Sequence, residues 1–173
     1  MTGSILRGAA ALALVGAMLP AHAHDHEAAR SEATQIVEQT DQEQAMMVAI
    51  ADAQASFDTF WAAYQAKTPG TGRFAVQVML KGGSDGMEQA WLTDVAKAGA
   101  GFTGVLGYPP EILTRTYTKG DMVSFSPMDV TDWGYAEGQR LRGHFTTRAS
   151  LPTLSDIEAE QARSLLHDNP LPN

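Results

Sequence analysis

The chain has 173 residues and no cysteine, and its 12 basic and 20 acidic side chains give a formal net charge of −8. A chain of this length can form one domain with its own hydrophobic core. The acidic balance disfavours binding to nucleic acid or to an anionic membrane surface, because both repel a negatively charged protein. The missing cysteines exclude a disulfide framework and a lipid-modified cysteine anchor.

A short apolar segment near the N-terminus predicts a secretory signal peptide over residues 1–23. Arg7 is the only charge before the apolar run, which covers residues 9–19 and is too short to span a bilayer as a helix. Ala21-His22-Ala23 then forms a small-x-small cleavage site. We therefore expect a periplasmic or secreted protein with a mature N-terminus at His24 and with no membrane span.

The N-terminal half of the mature chain predicts a leader followed by a helix. Residues 24–40 are polar and lack a sustained apolar stripe, which is typical of a flexible leader, alone or with nascent helix. Asp41 and Gln44 then form a capping-box pattern, and Pro69-Gly70 ends the helix. Between these limits, apolar residues recur on one helical face, namely Met46, Ile50, Ala53, Phe57, Phe60 and Tyr64.

The rest of the chain predicts strands followed by a short terminal helix. Alternating apolar residues and turn signals indicate strands at residues 74–79, 102–106 and 122–125, and a final hairpin of residues 133–135 and 140–148. Residues 87–95 fit one face of a helix and one face of a strand equally well. Ser155 and Glu158 form a capping box that opens a helix to about Leu166.

Six segments carry a family resemblance. In chain order they are a helix over residues 41–61 that ends in a Phe-Trp pair, Glu88-Gln89-Ala90-Trp91, Gly101-Phe102-Thr103-Gly104 leading to Pro109, Gly120-Asp121, Asp129-Val130-Thr131-Asp132-Trp133, and Gly143-His144-Phe145-Thr146-Thr147-Arg148. Through them, residues 41 to about 151 resemble the YegJ-like family of bacterial proteins, a domain of unknown function. The resemblance implies that residues 87–95 form a strand, and it implies no activity. The chain departs from the family at Gly107-Tyr108, where a polar residue, often Asn, is expected before the proline.

Together these patterns predict an α+β fold in one domain. An N-terminal helix packs on a curved antiparallel sheet of about five strands, and a short C-terminal helix follows. The sequence is compatible with two shapes of the sheet, an unclosed layer and a small barrel. The predicted divisions are a signal peptide over residues 1–23, a leader over 24–40, the α+β domain over 41–151, and the C-terminal helix and tail over 152–173.

The predicted mature N-terminus is a candidate copper site. Cleavage after Ala23 would leave His24-Asp25-His26, whose amine, backbone amides and third-residue imidazole form a square-planar nitrogen set suited to Cu(II). His24 could add an axial contact. The competing interpretation is a polar leader whose histidines bind no metal in the cell, and it carries more weight because any such terminus binds copper.

A second candidate is a nucleophile elbow. Gly82-Gly83-Ser84-Asp85-Gly86 matches G-x-S-x-G, and Asp129, Asp132 and His144 follow in the chain order of a hydrolase triad. The same glycines are also what a tight turn needs, and the chain lacks the β–α alternation of the hydrolase fold. The turn is therefore the favoured interpretation, and Asp132 with His144 remains a weak catalytic hypothesis.

A third candidate is a cationic face in the final hairpin. Arg142, His144 and Arg148 share parity, so on a strand over residues 140–148 their side chains would point to one face and could bind an anion or a carboxylate. The structural alternative, which we favour, is that Asp132 turns the chain, Trp133 fills the core and Arg148 pairs with a nearby carboxylate.

The preferred function from sequence is an exported, non-catalytic binding or interaction module. Its expected partner is another protein or an envelope component, and no cofactor is expected apart from copper at the leader. The first alternative is a small periplasmic hydrolase that uses Asp132 and His144. The second alternative is periplasmic copper binding through His24 and His26.

Overall fold

The computed structural model describes the backbone of residues 23–172 and the side chains of residues 37–84 and 86–172. Residues 1–22 of the predicted signal peptide lie outside the described residues. The chain divides into two compact units, Met1–Glu38 and Gln39–Asn173. The sheet, the core and the grooves described below all belong to the second unit.

Four α-helices form within residues 23–172: α1 (Ala23–Ala55), α2 (Phe57–Ala66), α3 (Phe145–Ser150) and α4 (Asp156–Leu165). The prediction that the first helix starts at Asp41 was wrong, because α1 begins at Ala23 and Asp41 lies inside it. Residues 24–40 contain good helix formers and neither Gly nor Pro, so a helix needs no apolar stripe to extend there. None of the helices in this part of the chain has both the length and the apolar character required to cross a membrane.

The single helix predicted over the apolar face is broken at Ser56. The Ser56 Oγ donates to the Asp52 carbonyl at 2.6 Å, and the Trp133 Nε1 donates to the Ala53 carbonyl at 3.0 Å. These two side chains add hydrogen bonds to carbonyl groups in the last turn of α1, where the Asp52 carbonyl also accepts from the Ser56 amide at 3.0 Å. The break lets α2 turn its own apolar side, with the buried Phe57 and Phe60, onto the sheet.

Six strands form one antiparallel sheet in the described part of the chain. They are β1 (Thr71–Lys81), β2 (Met87–Ala98), β3 (Gly101–Leu106), β4 (Met122–Phe125), β5 (Val130–Glu137) and β6 (Arg140–Gly143). The strand order is β4-β3-β2-β1-β5-β6. The α+β prediction is confirmed, with six strands rather than about five, and no strand of the described part joins β4 to β6 to close a barrel. The strand assignment for residues 87–95 is also confirmed.

The core lies between the helices α1 and α2 and one face of the sheet. Val76 of β1 pairs with Leu92 of β2 and with Trp133 of β5, and all three side chains are fully buried. The Trp133 ring centroid lies 5.7 Å from that of Phe60 and 5.3 Å from that of Phe145. The prediction that Trp133 belongs to the core is therefore confirmed.

The strand predicted over residues 140–148 ends at Gly143, and α3 follows. Gly143 and His144 both adopt positive φ, at 73° and 54°, which turns the chain away from the sheet. A Cβ at Gly143 would collide with the Trp133 carbonyl oxygen, so only glycine fits at this corner. The predicted strand over residues 140–148 was wrong because the alternation of side chains along the sequence does not reveal two consecutive residues with left-handed backbone conformation.

The C-terminal tail covers the free edge of β6. After α4, which carries the predicted Ser155–Glu158 capping box, Leu166 forms a parallel bridge with Leu141. The Gly143 amide donates to the Pro170 carbonyl at 2.8 Å. The tail thus satisfies backbone groups that an edge strand otherwise exposes.

Candidate functional site

Asp132 is a fully buried carboxylate that anchors the start of α3. Its oxygens accept hydrogen bonds from the amides of Trp133 at 2.7 Å, Phe145 at 3.0 Å and Thr146 at 3.0 Å. The Thr146 hydroxyl also donates to it, at 2.5 Å. Two of these four bonds, from Phe145 and Thr146, satisfy free amides of the first turn of α3, so the carboxylate lies at the positive end of the helix. The geometry gives Asp132 a structural task, and its catalytic role stays a prediction.

His144 lies half-buried at the corner between β6 and α3. Its ring centroid is 5.4 Å from that of Trp91, and the ring lies against the backbone of Gly134, where a Cβ would collide with it. Burial lowers the pKa of His144 below its ordinary value; the nearby charge of Arg148 adds to this and that of Asp132 opposes it. The neutral imidazole is therefore favoured in the folded chain.

Arg142 does not share a face with His144 and Arg148, because the three residues lie on β6, on the corner and on α3. The Nε and Nη2 of Arg142 contact the Glu137 carboxylate at 2.8 and 2.7 Å. Its Nη1 donates to the carbonyls of Asn169 and Leu171 at 2.9 and 2.8 Å. The buried Arg142 thus fastens the C-terminal tail to the sheet.

Arg148 has far fewer partners than Arg142. Its Nε donates to the Gly143 carbonyl at 2.9 Å, while its Nη2 is buried and has no hydrogen-bond partner among the described residues. Burial lowers the pKa of Arg148, and the charge of Asp132 opposes this shift. Arg148 lines a groove between α1 and α3.

We call this cavity the Arg148 groove. It has a volume of about 480 Å³, and its lining includes Ala45, Val48, Ala49, Phe145, Arg148 and Pro170. Most of these side chains are apolar, and Val48 is 54% exposed. Pattern reasoning missed the groove because its two walls are helices 90 residues apart in sequence, one of which was predicted as a strand.

A second cavity, which we call the Trp91 groove, lies between β2 and the connection that follows β3. It has a volume of about 380 Å³ and is lined by residues 88–91 and 108–112. The Glu88 carboxylate accepts hydrogen bonds from the amides of Glu111, Ile112 and Leu113 at 2.6, 2.8 and 3.0 Å. Burial raises the pKa of Glu88, but these three bonds outweigh it and lower the pKa below its ordinary value. Glu88 therefore holds the outer wall of the groove in place.

The inner wall of the Trp91 groove is a free strand edge. The Gly107 amide donates to the Trp91 carbonyl at 3.2 Å, so the backbone of Trp91 points towards the connection. Because backbone groups alternate sides along an antiparallel strand, the amide and carbonyl of Gln89 point the same way. The β2–β3 pairing begins only at Leu92, so Gln89 has no strand partner there among the described residues.

The two remaining candidates from the sequence are the Gly82–Gly86 motif and the N-terminal copper site. The Gly82–Gly86 segment joins two antiparallel strands, and its Gly82 amide donates to the Gly86 carbonyl at 2.9 Å, which is a hairpin turn rather than a strand–turn–helix elbow. The side chains of His24 and His26 lie outside the described residues. Within the described side chains, no group of three or more His, Asp or Glu residues could hold a metal ion. The copper hypothesis therefore stays a prediction.

Comparison with known proteins agrees with the resemblance seen in the sequence. A family model described as an uncharacterized protein conserved in bacteria (DUF2314) matches residues 43–166. The chain is similar to the "Uncharacterized protein YegJ" of Escherichia coli (strain K12), with 32% identity over 123 residues, which cover 71% of this chain and 78% of that protein. No solved structure matches the chain.

Proposed function

This chain belongs to the DUF2314 family of uncharacterized proteins conserved in bacteria, and we propose that it is an exported, non-catalytic module that binds an extended segment of another protein. The observation that carries the proposal is the Trp91 groove, where a free strand edge faces an apolar and aromatic wall. Extended peptides bind such edges by adding a strand, with side-chain pockets providing specificity.

The outer wall of the groove supplies surface that fits a peptide. Tyr108 is 76% exposed and Ile112 is 65% exposed, and Pro109 and Pro110 lie between them. The Lys119 ammonium lies 5.9 Å from the centre of the Tyr108 ring. Tyrosine is enriched among residues that dominate binding energy, because it buries a large apolar area while keeping a polar end.

The proposed export depends on the first 23 residues. Their single basic residue, short apolar run and Ala-His-Ala site support secretion and cleavage before His24. N-terminal sequencing of the protein recovered outside the cytoplasm tests this part. A chain that starts at His24 supports export, and an uncleaved Met1 on the soluble protein would contradict it.

The binding proposal is tested by selecting peptides from a displayed random library against the mature chain. Tyr108→Ala should weaken binding of a selected peptide by about tenfold or more, which corresponds to about 1.4 kcal/mol. Met128→Ala is the matched control, since Met128 is also 76% exposed but does not line the groove. Equal losses in the two variants, or no enriched peptide, would contradict the proposal.

A second variant tests main-chain pairing. Gln89→Pro removes the amide that points into the groove, and a proline is tolerated where a strand amide faces an open edge. We expect the folded variant to lose most of its peptide affinity. Unchanged affinity would show that the free edge of β2 does not pair with the peptide.

A further inference from the structure

The guanidinium of Arg148 is unusually short of partners for its position. It has five N–H donors, and among the described residues only the Nε–H donates a hydrogen bond. No carboxylate oxygen of the described residues lies within 4.0 Å of it. Asp132 and Asp168 are near enough to attract the charge, but the Asp132 carboxylate already accepts four hydrogen bonds and Asp168 pairs with Arg140. The cation is therefore left without an anion of its own.

The surroundings of this cation are apolar. The Arg148 groove is walled by Ala45, Val48 and Ala49 on α1 and by Phe145 on α3. Its volume of about 480 Å³ falls in the range of small-molecule sites, roughly 300–1,000 Å³. The lining positions of α1 run from Gln44 to Asp52, a length of roughly 12 Å at the helical rise per residue.

We propose that the Arg148 groove binds a medium-chain aliphatic carboxylate, with the carboxylate on the Arg148 guanidinium and the alkyl chain along α1. A carboxylate can accept a charge-assisted hydrogen bond from a guanidinium, which is stronger than a bond between neutral groups. The alkyl chain would cover side chains that now face solvent, of which Val48 is 54% exposed. The proposal concerns a different cavity from the Trp91 groove and does not depend on peptide binding there.

Asp52 adds a negative charge to the lining of the Arg148 groove. This exposed carboxylate also lines the groove and would repel an anion placed beside it. It therefore favours the orientation in which the ligand carboxylate lies at Arg148. Asp52→Asn should consequently strengthen binding of the carboxylate a few-fold while leaving a neutral ligand unaffected.

The test uses isothermal titration of the full mature chain with decanoate and with decanol, which share a ten-carbon chain and differ in the head group. We expect decanoate to bind about tenfold or more tightly than decanol. Arg148→Met retains an apolar stem but removes the charge, so it should abolish this preference and leave decanol binding in place. A merely structural role of Arg148 would instead change both affinities equally.

A matched pair on α1 tests the groove without altering the arginine. Val48→Trp should fill the groove and weaken both ligands by about tenfold or more, whereas Met47→Trp, at a neighbouring position 65% exposed and outside the lining, should change neither. If Arg148→Met fails to fold, the wild-type preference for decanoate over decanol and the two α1 variants still test the proposal. The proposal is overturned if the wild type binds neither ligand or shows no preference, if Arg148→Met keeps the preference, or if Met47→Trp weakens binding as much as Val48→Trp.

Discussion

Arg142 and Arg148 are six residues apart, and both lie close to the C-terminal tail, yet their environments differ. Arg142 directs its guanidinium at the Glu137 carboxylate and at two carbonyls of the tail. Arg148 donates to one carbonyl, has a buried Nη2 without a partner among the described residues, and lines an apolar groove. A buried arginine whose donors all bond within the chain is part of the fold, whereas one with unused donors can still bind a ligand.

The largest effect should come from the core that supports both arginines. Trp133→Ala removes a fully buried ring and its hydrogen bond to the Ala53 carbonyl, where α1 ends. Truncating a buried tryptophan typically costs about 3–5 kcal/mol, out of a total stability of roughly 5–15 kcal/mol. Urea unfolding of the variant measures the loss. A cost below that range would mean that Trp133 does not join the helices to the sheet in solution.

The next effect should come from the satisfied arginine. Arg142→Met leaves Glu137 and the tail carbonyls without their donor, and losing hydrogen bonds to a charged group costs about 1.5–3 kcal/mol. Arg140→Met is the control, because the Arg140–Asp168 pair is exposed and such pairs contribute about 0–1 kcal/mol. Hydrogen exchange at the Gly143 amide should also accelerate in Arg142→Met, since that amide is bonded to the tail. Equal destabilisation by the two variants would remove the structural role assigned to Arg142.

A smaller, pH-dependent effect should come from His144. Because its pKa is lowered in the folded chain, the unfolded chain binds a proton more readily. Stability is therefore complete above the ordinary histidine pKa of about 6.5 and falls as the pH drops below it. In the wild type, this loss of stability should be less than about 1 kcal/mol between pH 7 and pH 5.5. His144→Asn should abolish it, and asparagine tolerates the positive φ at this position. If the wild type and His144→Asn lost stability equally as the pH fell, His144 would not be the group responsible.

The sequence allowed much of the fold to be predicted, because the strands follow a regular apolar pattern. Trp133 and the Ser155–Glu158 cap were predicted for the physical reasons that the structure shows. The corner at Gly143 and His144 could not be predicted, since two positive φ angles depend on how closely the backbone approaches Trp133. That error placed Arg142 and Arg148 on one face.

The candidate sites were harder to predict than the fold. The Trp91 groove depends on a carboxylate, Glu88, that bonds to amides more than twenty residues away. The Arg148 groove depends on helices that are distant in sequence. A motif search cannot find either groove, because each arises from tertiary contacts between segments that carry no local signature.

The most direct test of the account compares Arg148→Met with the wild type in urea unfolding, with and without decanoate. Arg148→Met loses one hydrogen bond to the Gly143 carbonyl but also removes an unpaired, partly buried charge, whose desolvation penalty offsets that loss. The variant should therefore differ from the wild type by less than about 1 kcal/mol without ligand. Decanoate at about 100 times its Kd should stabilise the wild type by about 2.7 kcal/mol, and the variant by much less at the same concentration. A variant that unfolds as readily as Arg142→Met, or that decanoate stabilises as much as the wild type, would contradict the distinction between the two arginines.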